Sequence, residues 1–300
     1  GVSNWIGTST NHPDHVTIAG GHCNTVHAAR STVSGGSGNF IGSNADTSVI
    51  GGGGGNQIAP GAGDVAPFAV IAGGSANSIN SDSNESVISG GSNNKIWGYN
   101  AVIAGGAGNQ VGNNYGVIGG GASNIALQYA TVGGGQNNSA VAMHATVAGG
   151  NANGAVALGS AIGGGSLNIA SGAYSTVSGG VQNLAVGAYS WAGGFNAVAN
   201  HNGSFVWQSG VGTEGQYPAH GVRTFNVKAN AAHFDVTGGS GGFFVHGGNV
   251  GIDANLYVDG NASVDGWLDV DGTLSKGGGT FLIDHPQDPR NKVLRHSFVE

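Results

Sequence analysis

Residues 101–109 read AVIAGGAGN, and residues 175–183 read STVSGGVQN. Each stretch places an apolar residue two positions before a Gly-Gly pair and an Asn four positions after the first Gly. The asparagines that keep this relation to a Gly pair are Asn24, Asn39, Asn56, Asn77, Asn94, Asn109, Asn124, Asn138, Asn153, Asn168 and Asn183. They are 15, 17, 21, 17, 15, 15, 14, 15, 15 and 15 residues apart. So regular a period predicts a stacked repeat, that is, a solenoid.

The positions around the Gly pair predict two short strands and two turns in each repeat. The residue two places before the pair is Ile, Val or, in the last copy, Trp191, and we expect this column to face the core. The residue three places before is mostly Val or Thr, so we expect the opposite face of the strand to be buried or half buried. Gly, and after it Asn, tolerates left-handed backbone angles, which predicts a corner at each Gly-Gly-x-x-Asn. An apolar residue soon after the Asn, such as Val111, supplies the second strand.

The composition excludes several alternative classes of fold. The 62 glycines among 300 residues would be costly inside helices, and no 3.6-residue apolar period is present. Glycine does not recur at every third residue, which excludes collagen. A hydrophobic content of 39%, placed in register, argues against disorder. The sequence therefore predicts an all-β solenoid.

Charge and hydropathy exclude further functions. The net charge is −7 with only eight Lys and Arg, which leaves no basic stripe for nucleic acid. Between Lys95 and Glu214 there is no charged residue. No run of eighteen apolar residues occurs, so we expect no membrane insertion of this segment. Cys23 is the single cysteine and matches no metal or redox motif.

The small cross-section of a fifteen-residue coil predicts self-association. One coil encloses few side chains and buries little apolar surface by itself. The Val and Thr column on the second face would be covered if three chains packed around an axis. The columns therefore predict a homotrimer.

The quoted repeats resemble the head repeats of trimeric autotransporter adhesins, the YadA-like head. This resemblance covers about residues 1–200 and implies a left-handed parallel β-roll that assembles as a trimer. Residues 57–70 depart from the pattern and read as a loop inserted between coils, and the last coil has lost its Asn. Residues 1–4 match residues 21–24, so we expect that the chain starts inside a repeat and belongs to a longer protein.

The remaining sequence predicts three further segments. We divide the chain into β-roll repeats over 1–200, a cap or transition segment over 201–248, a shaft over 249–276 and a C-terminal tail over 277–300. The cap begins with the aromatic-rich HNGSFVWQ of residues 201–208, and an open coil end needs such cover. The shaft has hexads such as VDGNAS, which three chains could build into a triangular β-prism. The cap, shaft and tail resemble those of bacterial and bacteriophage fibres, which implies a C-terminal chaperone cleavage boundary near Glu300.

The sequence offers no catalytic, cofactor or metal site. It has no GxSxG, HExxH or P-loop motif, and the charge-free region cannot supply paired carboxylates. We therefore expect a protein that is not an enzyme and needs no cofactor. Two clusters contain residue types that can bind a metal, but we interpret them as turn or surface residues. They are the aspartates Asp253, Asp259, Asp265 and Asp271 and the histidines His12, His15, His22 and His27.

The most variable column, five places before the Gly pair, is expected to point outward. It contains Tyr115, Tyr129, His144 and Tyr174, which would stack along one edge at a spacing of about 4.8 Å per coil. Such a strip suits a sugar or a polar chain and is the candidate receptor-binding site. An alternative is that these rings cover the seam between subunits.

Two classes of function remain open. The first is a trimeric adhesin or tail fibre that attaches to a glycan or protein receptor, extracellular and located on a cell surface or a phage virion. The second is a purely structural fibre or surface array, with an ice-binding solenoid as a variant. Ice binding requires an unbroken Thr face, whereas Val49, Val70, Val87, Val102 and Val117 interrupt the Thr column. The sequence does not identify the receptor or decide between a phage and a bacterial origin.

Overall fold

The structure, a computed structural model, describes residues 1–7, 14–59, 61, 64–210, 215–221 and 223–228. It also describes the backbone of residues 280–284 and 293–297. The chain divides into two units, Gly1–His233 and Phe234–Glu300. The first unit is an all-β parallel solenoid, and the second contains an antiparallel hairpin. The predicted β-prism shaft of 249–276 lies outside the described residues.

The strands of the solenoid are mostly two residues long, because each coil has room for only one inward and one outward residue per strand. The first fourteen are β1 (Trp5–Ile6), β2 (Thr17–Ile18), β3 (Thr25–Val26), β4 (Thr32–Val33), β5 (Phe40–Ile41), β6 (Val49–Ile50), β7 (Gln57–Ile58), β8 (Val70–Ile71), β9 (Ser78–Ile79), β10 (Val87–Ile88), β11 (Lys95–Ile96), β12 (Val102–Ile103), β13 (Gln110–Val111) and β14 (Val117–Ile118).

The later strands lengthen toward the end of the solenoid. They are β15 (Ile125–Ala126), β16 (Thr131–Val132), β17 (Ser139–Ala140), β18 (Thr146–Val147), β19 (Gly154–Ala155), β20 (Ala161–Ile162), β21 (Ile169–Ala170), β22 (Thr176–Val181), β23 (Leu184–Ala185), β24 (Trp191–Phe195), β25 (Ala197–Ala199), β26 (Phe205–Gln208), β27 (Tyr217–Pro218) and β28 (Phe225–Lys228). The hairpin of the second unit consists of β29 (Thr280–Asp284) and β30 (Val293–Ser297).

Every solenoid strand pairs in parallel with the equivalent strand of the next coil. Ile103 of β12, for example, lies opposite Ile118 of β14. The odd-numbered strands β1–β27 form one 14-stranded sheet, sheet A, and the even-numbered strands β2–β28 form a second, sheet B. A third ladder of single parallel bridges runs from His22 to Val181, beside the Gly-Gly corners. The predicted parallel β-solenoid is confirmed, with a third short ladder that the sequence had not indicated.

The core consists of one inward residue from each short strand. The column two places before the Gly pair is fully buried through most of its length, as at Ile103, Ile118 and Val177. On sheet A the inward residue is the second of the strand, such as Val111. The predicted inward column is therefore confirmed, except at its two ends, where Ile18 and Trp191 are only half buried.

Trp191 was wrongly assigned to the core. It pairs with Thr176 of the outward column, and Ala192 pairs with the buried Val177. The register shifts by one residue before Gly194, so alignment on the Gly pair misplaces the strand. The interior of the coil accepts the methyl group of Ala192, which is fully buried, and the indole lies outside.

The asparagine ladder is an interior structure, and all eleven side chains are buried. Asn109 shows the pattern: its backbone N–H donates to Oδ1 of Asn94 at 3.0 Å. Its Nδ2 donates to the carbonyl of Gly105 in the same coil at 2.9 Å and to that of Gly121 in the next coil at 3.0 Å. The side-chain amides thus hydrogen-bond to backbone groups of their own coil and of the neighbouring coils.

The left-handed backbone of this corner lies one residue before the asparagine. In the coil of Asn109 it is Gly108, with φ of 66°, and in the coil of Asn168 it is Leu167, with φ of 58°. The expectation that the asparagines themselves are chosen for left-handed angles is therefore wrong. Their amides are required instead, because they connect each coil to both of its neighbours.

The second glycine of each pair is fixed by the close approach of the next coil. At Gly106, where φ is 88°, an added Cβ would lie 2.0 Å from the carbonyl oxygen of Gly121. No side chain fits at that distance. This contact explains why the Gly-Gly pair persists through insertions elsewhere in the repeat.

Both sheets continue beyond residue 200, where the sequence predicts a cap or transition segment. β26 pairs in parallel with β24 on one side and with β28 on the other. The aromatic residues that the interior cannot hold lie outside, where Phe205 stacks on Trp191 at 4.2 Å and on Phe225 at 4.6 Å. Val206 takes the buried position. The described part of the predicted cap therefore includes further solenoid strands.

Candidate functional site

The candidate site lies at the corner that joins each sheet A strand to the following sheet B strand. The residue five places before the Gly pair has a left-handed backbone there, with φ of 58° at Tyr115, 55° at Tyr129, 59° at His144 and 56° at Tyr174. Such angles are uncommon outside glycine and are typical of tight turns. All four side chains are exposed, as the sequence led us to expect of this column.

Three of the four predicted residues form a continuous stack. The ring centroids of Tyr115 and Tyr129 are 4.9 Å apart, with an interplanar angle of 11°. Those of Tyr129 and His144 are 5.2 Å apart, at 27°. These separations follow the spacing of neighbouring coils, about 4.8 Å, because equivalent residues repeat the same backbone geometry. The exposed fractions of Tyr115 and Tyr129 are 40% and 42%, so the stack faces solvent.

Tyr174 belongs to a separate pair. Gly159 occupies the column between His144 and Tyr174, and the Tyr174 ring lies so close that an added Cβ on Gly159 would be 2.6 Å from its Cδ1. Tyr174 stacks on Tyr189, with centroids 5.4 Å apart and an interplanar angle of 9°. The sequence comparison missed Tyr189, because the one-residue shift in its coil removed it from the column.

Tyr99 extends the stack in the opposite direction and was also missed. Its ring meets that of Tyr115 edge-on, with centroids 5.0 Å apart at 79°. Tyr99 lies one position before the column that the repeat alignment singled out, so only a search of neighbouring columns would have found it. We call the set Tyr99, Tyr115, Tyr129 and His144 the aromatic edge.

The tyrosine hydroxyl groups of the aromatic edge can donate hydrogen bonds. Partial desolvation by the surrounding protein raises the pKa of Tyr115 above its ordinary value of 10.0, and the neighbouring Tyr99 and Tyr129 add to this effect. Tyr115 therefore keeps its proton at neutral pH. The absence of charged residues from 96 to 213 in the sequence means that the downstream coils present no ionic group beside the stack.

Of the groups considered as metal ligands, His15, His22 and His27 lie in the described residues. Among the residues that it describes, no cluster of three or more His, Cys, Asp or Glu could hold a metal ion. The ring of His27 packs edge-on against Trp5 and Phe40, at 5.0 and 5.3 Å. Cys23 is exposed, with its sulfur 3.4 Å from Nε2 of His22. His12 and the four regularly spaced aspartates lie outside the described residues.

Comparison with known proteins adds no further identification. A scan against protein-family models and a search of curated proteins each gave no match for this chain. In the described part of the chain, no helix is long and apolar enough to span a membrane.

Proposed function

We propose that this chain is the repeat region of a homotrimeric, extracellular fibre that attaches to a receptor on a cell surface. In this proposal the solenoid is a left-handed β-roll of the YadA-like head type, carried by a bacterial adhesin or a phage tail fibre. It acts by binding and performs no catalysis. The observation that carries the proposal is the exposed stack of Tyr115, Tyr129 and His144. Stacked aromatic faces with hydroxyl groups suit a glycan, which has apolar faces and a polar rim.

The outer face of sheet B supports the trimer. Its column contains Val70, Val87 and Val102, and in the isolated chain these side chains remain half buried. Val49 and Val117 in the same column are 36% and 37% exposed. A continuous row of valines on a long flat surface is costly in water, and symmetric association would cover it.

The fibre proposal also includes the segments that follow the solenoid. A β-prism shaft over 249–276 and a chaperone cleavage boundary near Glu300 remain predictions from the resemblance. Intact mass of a chain extended past residue 300 tests the boundary, because autocleavage would yield a product that ends close to Glu300. Persistence of the full-length extended chain would contradict it.

A binding assay with matched variants tests the receptor-binding function. The wild-type chain and Tyr129→Ala are compared on a glycan array and on intact bacterial cells. Trp5→Ala serves as the control, because Trp5 is an exposed aromatic residue, 56% exposed, that lies apart from the aromatic edge. We expect Tyr129→Ala to weaken binding and Trp5→Ala to leave it unchanged.

Light scattering on the same samples separates the alternatives. A mass of about three times 29.3 kDa for the wild type and for Tyr129→Ala would support a trimer whose aromatic edge is free. Loss of the trimer in Tyr129→Ala would instead assign these rings to the seam between subunits. A wild-type trimer that binds no glycan, protein or cell would overturn the receptor function in favour of a structural fibre.

A further inference from the structure

The corners of the solenoid form a step beside the aromatic edge. The segment between the sheet A and sheet B strands spans 80–86 after β9, 97–101 after β11 and 112–116 after β13. Each segment is therefore as short as or shorter than the one before it. Longer upstream corners project past shorter downstream ones, which leaves a recess at the point where Tyr99 begins the aromatic edge.

This recess is an open groove of about 590 Å³. Its walls come from three successive corners: Ser81, Asp82 and Asn84 from the first, Trp97 and Tyr99 from the second, and Gly112, Asn113 and Asn114 from the third. A volume of this size is within the range of small-ligand sites, roughly 300–1,000 Å³.

The groove combines an aromatic platform with uncommitted hydrogen-bonding groups. The Trp97 side chain is 41% exposed, although an indole is more often buried. The side-chain oxygen Oδ1 of Asn84 is buried and has no donor among the described residues. Asn84 lines the groove, and the terminal torsion of an asparagine is broad. A small rotation would let this oxygen accept a hydrogen bond from a ligand bound in the groove. The carboxylate of Asp82 adds a further acceptor.

These features specify the chemistry of the ligand. A ring that stacks on Trp97 and brings hydroxyl donors to Asn84 and Asp82 has the properties of a sugar. A nucleotide would bring phosphate toward the Asp82 carboxylate, which repels it. Trp97 also lines a second, smaller groove of about 270 Å³, together with polar residues that include Lys95 and Asn80. The indole is therefore shared by two grooves with polar linings, which suits a ligand made of successive sugar units.

We propose that the groove beside Trp97 is a saccharide subsite at one end of the aromatic edge. It takes one unit of a neutral oligosaccharide, and the following units extend along Tyr115 and Tyr129. This inference rests on the proposed receptor function and specifies its ligand class. It assigns recognition to Asp82, Asn84 and Trp97.

The test measures calorimetric binding of short neutral oligosaccharides, namely glucans, mannans, galactans and N-acetylglucosamine oligomers, to the intact 300-residue chain. Trp97→Ala removes the platform, and Asp82→Asn replaces the carboxylate. The backbone of Asp82 is left-handed, with φ of 51°, which asparagine adopts readily, so this variant should keep the fold. Trp5→Ala is the matched control, and Tyr129→Ala tests the aromatic edge separately.

We expect Trp97→Ala to weaken oligosaccharide binding about tenfold, the equivalent of one lost aromatic contact. Asp82→Asn should weaken it several-fold, and Trp5→Ala should not change it. If Tyr129→Ala reduces cell binding while Trp97→Ala and Asp82→Asn bind every oligosaccharide like the wild type, the subsite is wrong and the receptor function stands. If the wild type binds a protein receptor but no oligosaccharide, the subsite is likewise wrong and the receptor function stands. If the wild type binds neither cells nor any saccharide, both proposals fall.

Discussion

Replacement of Asn124 by alanine should destabilise the solenoid, because it removes the hydrogen bonds of one buried side-chain amide. The Asn124 side chain accepts the N–H of Asn138 at 2.9 Å and donates to the carbonyl of Gly120 at 2.9 Å and that of Gly135 at 3.0 Å. Gly135 keeps a second donor, the N–H of Ala122 at 2.9 Å, whereas alanine leaves the buried N–H of Asn138 without its acceptor. An unsatisfied buried group costs about 1–3 kcal/mol, and the partly buried Gly120 carbonyl costs less. We expect a loss of about 3 kcal/mol in the free energy of unfolding.

The assay is guanidinium unfolding followed by circular dichroism, with Asn151→Ala as the control. Asn151 is exposed and lies in the ladder of single bridges, two coils after the coil of Asn124. Protein concentration is held constant, because the stability of an oligomer depends on it. Equal unfolding midpoints for Asn124→Ala and Asn151→Ala would refute the argument that the buried amide ladder supports the corners.

Asn124→Asp tests which atoms of the amide matter. The aspartate keeps an oxygen for the N–H of Asn138, but at neutral pH its second oxygen faces the carbonyls of Gly120 and Gly135. Burial and these carbonyls should raise the carboxyl pKa above its unfolded value of about 3.9. A raised folded-state pKa gives stability that is present below the unfolded pKa and lost as pH rises through the folded pKa. The variant should therefore approach the wild type as pH falls, and a pH-independent deficit would contradict this account.

The other expectations concern the glycine corner, the aromatic edge and the outer face of sheet B. Gly165→Ala should prevent folding or cost several kcal/mol, because its Cβ would lie 2.0 Å from the Gly180 carbonyl oxygen. Gly154→Ala, whose nearest contact is at 3.6 Å, is the control in thermal unfolding. In a spectroscopic titration, Tyr115→Phe should remove a tyrosine that ionises above pH 10.0. Because the pKa of Tyr115 is raised in the folded state, its contribution to the free energy of unfolding is present below the unfolded pKa and is lost as pH rises through the folded pKa. The stability of the wild type relative to Tyr115→Phe should therefore fall in alkali. Val117→Glu should lower the mass measured by light scattering from that of a trimer toward 29.3 kDa, whereas Val117→Thr should not.

The repeat architecture was predictable because it depends on the spacing of residues within each repeat. A period of about fifteen residues, one inward apolar column and a glycine corner each depend on residues that are close in sequence. The prediction failed where the spacing changes within a coil. At Trp191 a one-residue shift exchanges the inward and outward faces, since neighbouring strand residues point to opposite sides.

The candidate site was only partly predictable. The repeat column identified Tyr115, Tyr129 and His144, because equivalent corner residues recur at one edge of the stack. It could not separate Tyr174 from them, since that separation depends on how the ring lies over Gly159. It also missed Tyr99 and the groove beside it, because a recess depends on the relative lengths of three successive corners.

The sequence alone determined the parallel solenoid, its inward columns and the outward column that carries the candidate site. These features follow from backbone preferences and from the two-residue alternation of a strand. Only the tertiary structure decided the role of the asparagines, because their partners lie in the coils above and below, at a distance set by stacking. The same stacking makes the asparagine side chains an internal hydrogen-bond ladder and places Trp97 in the lining of two grooves.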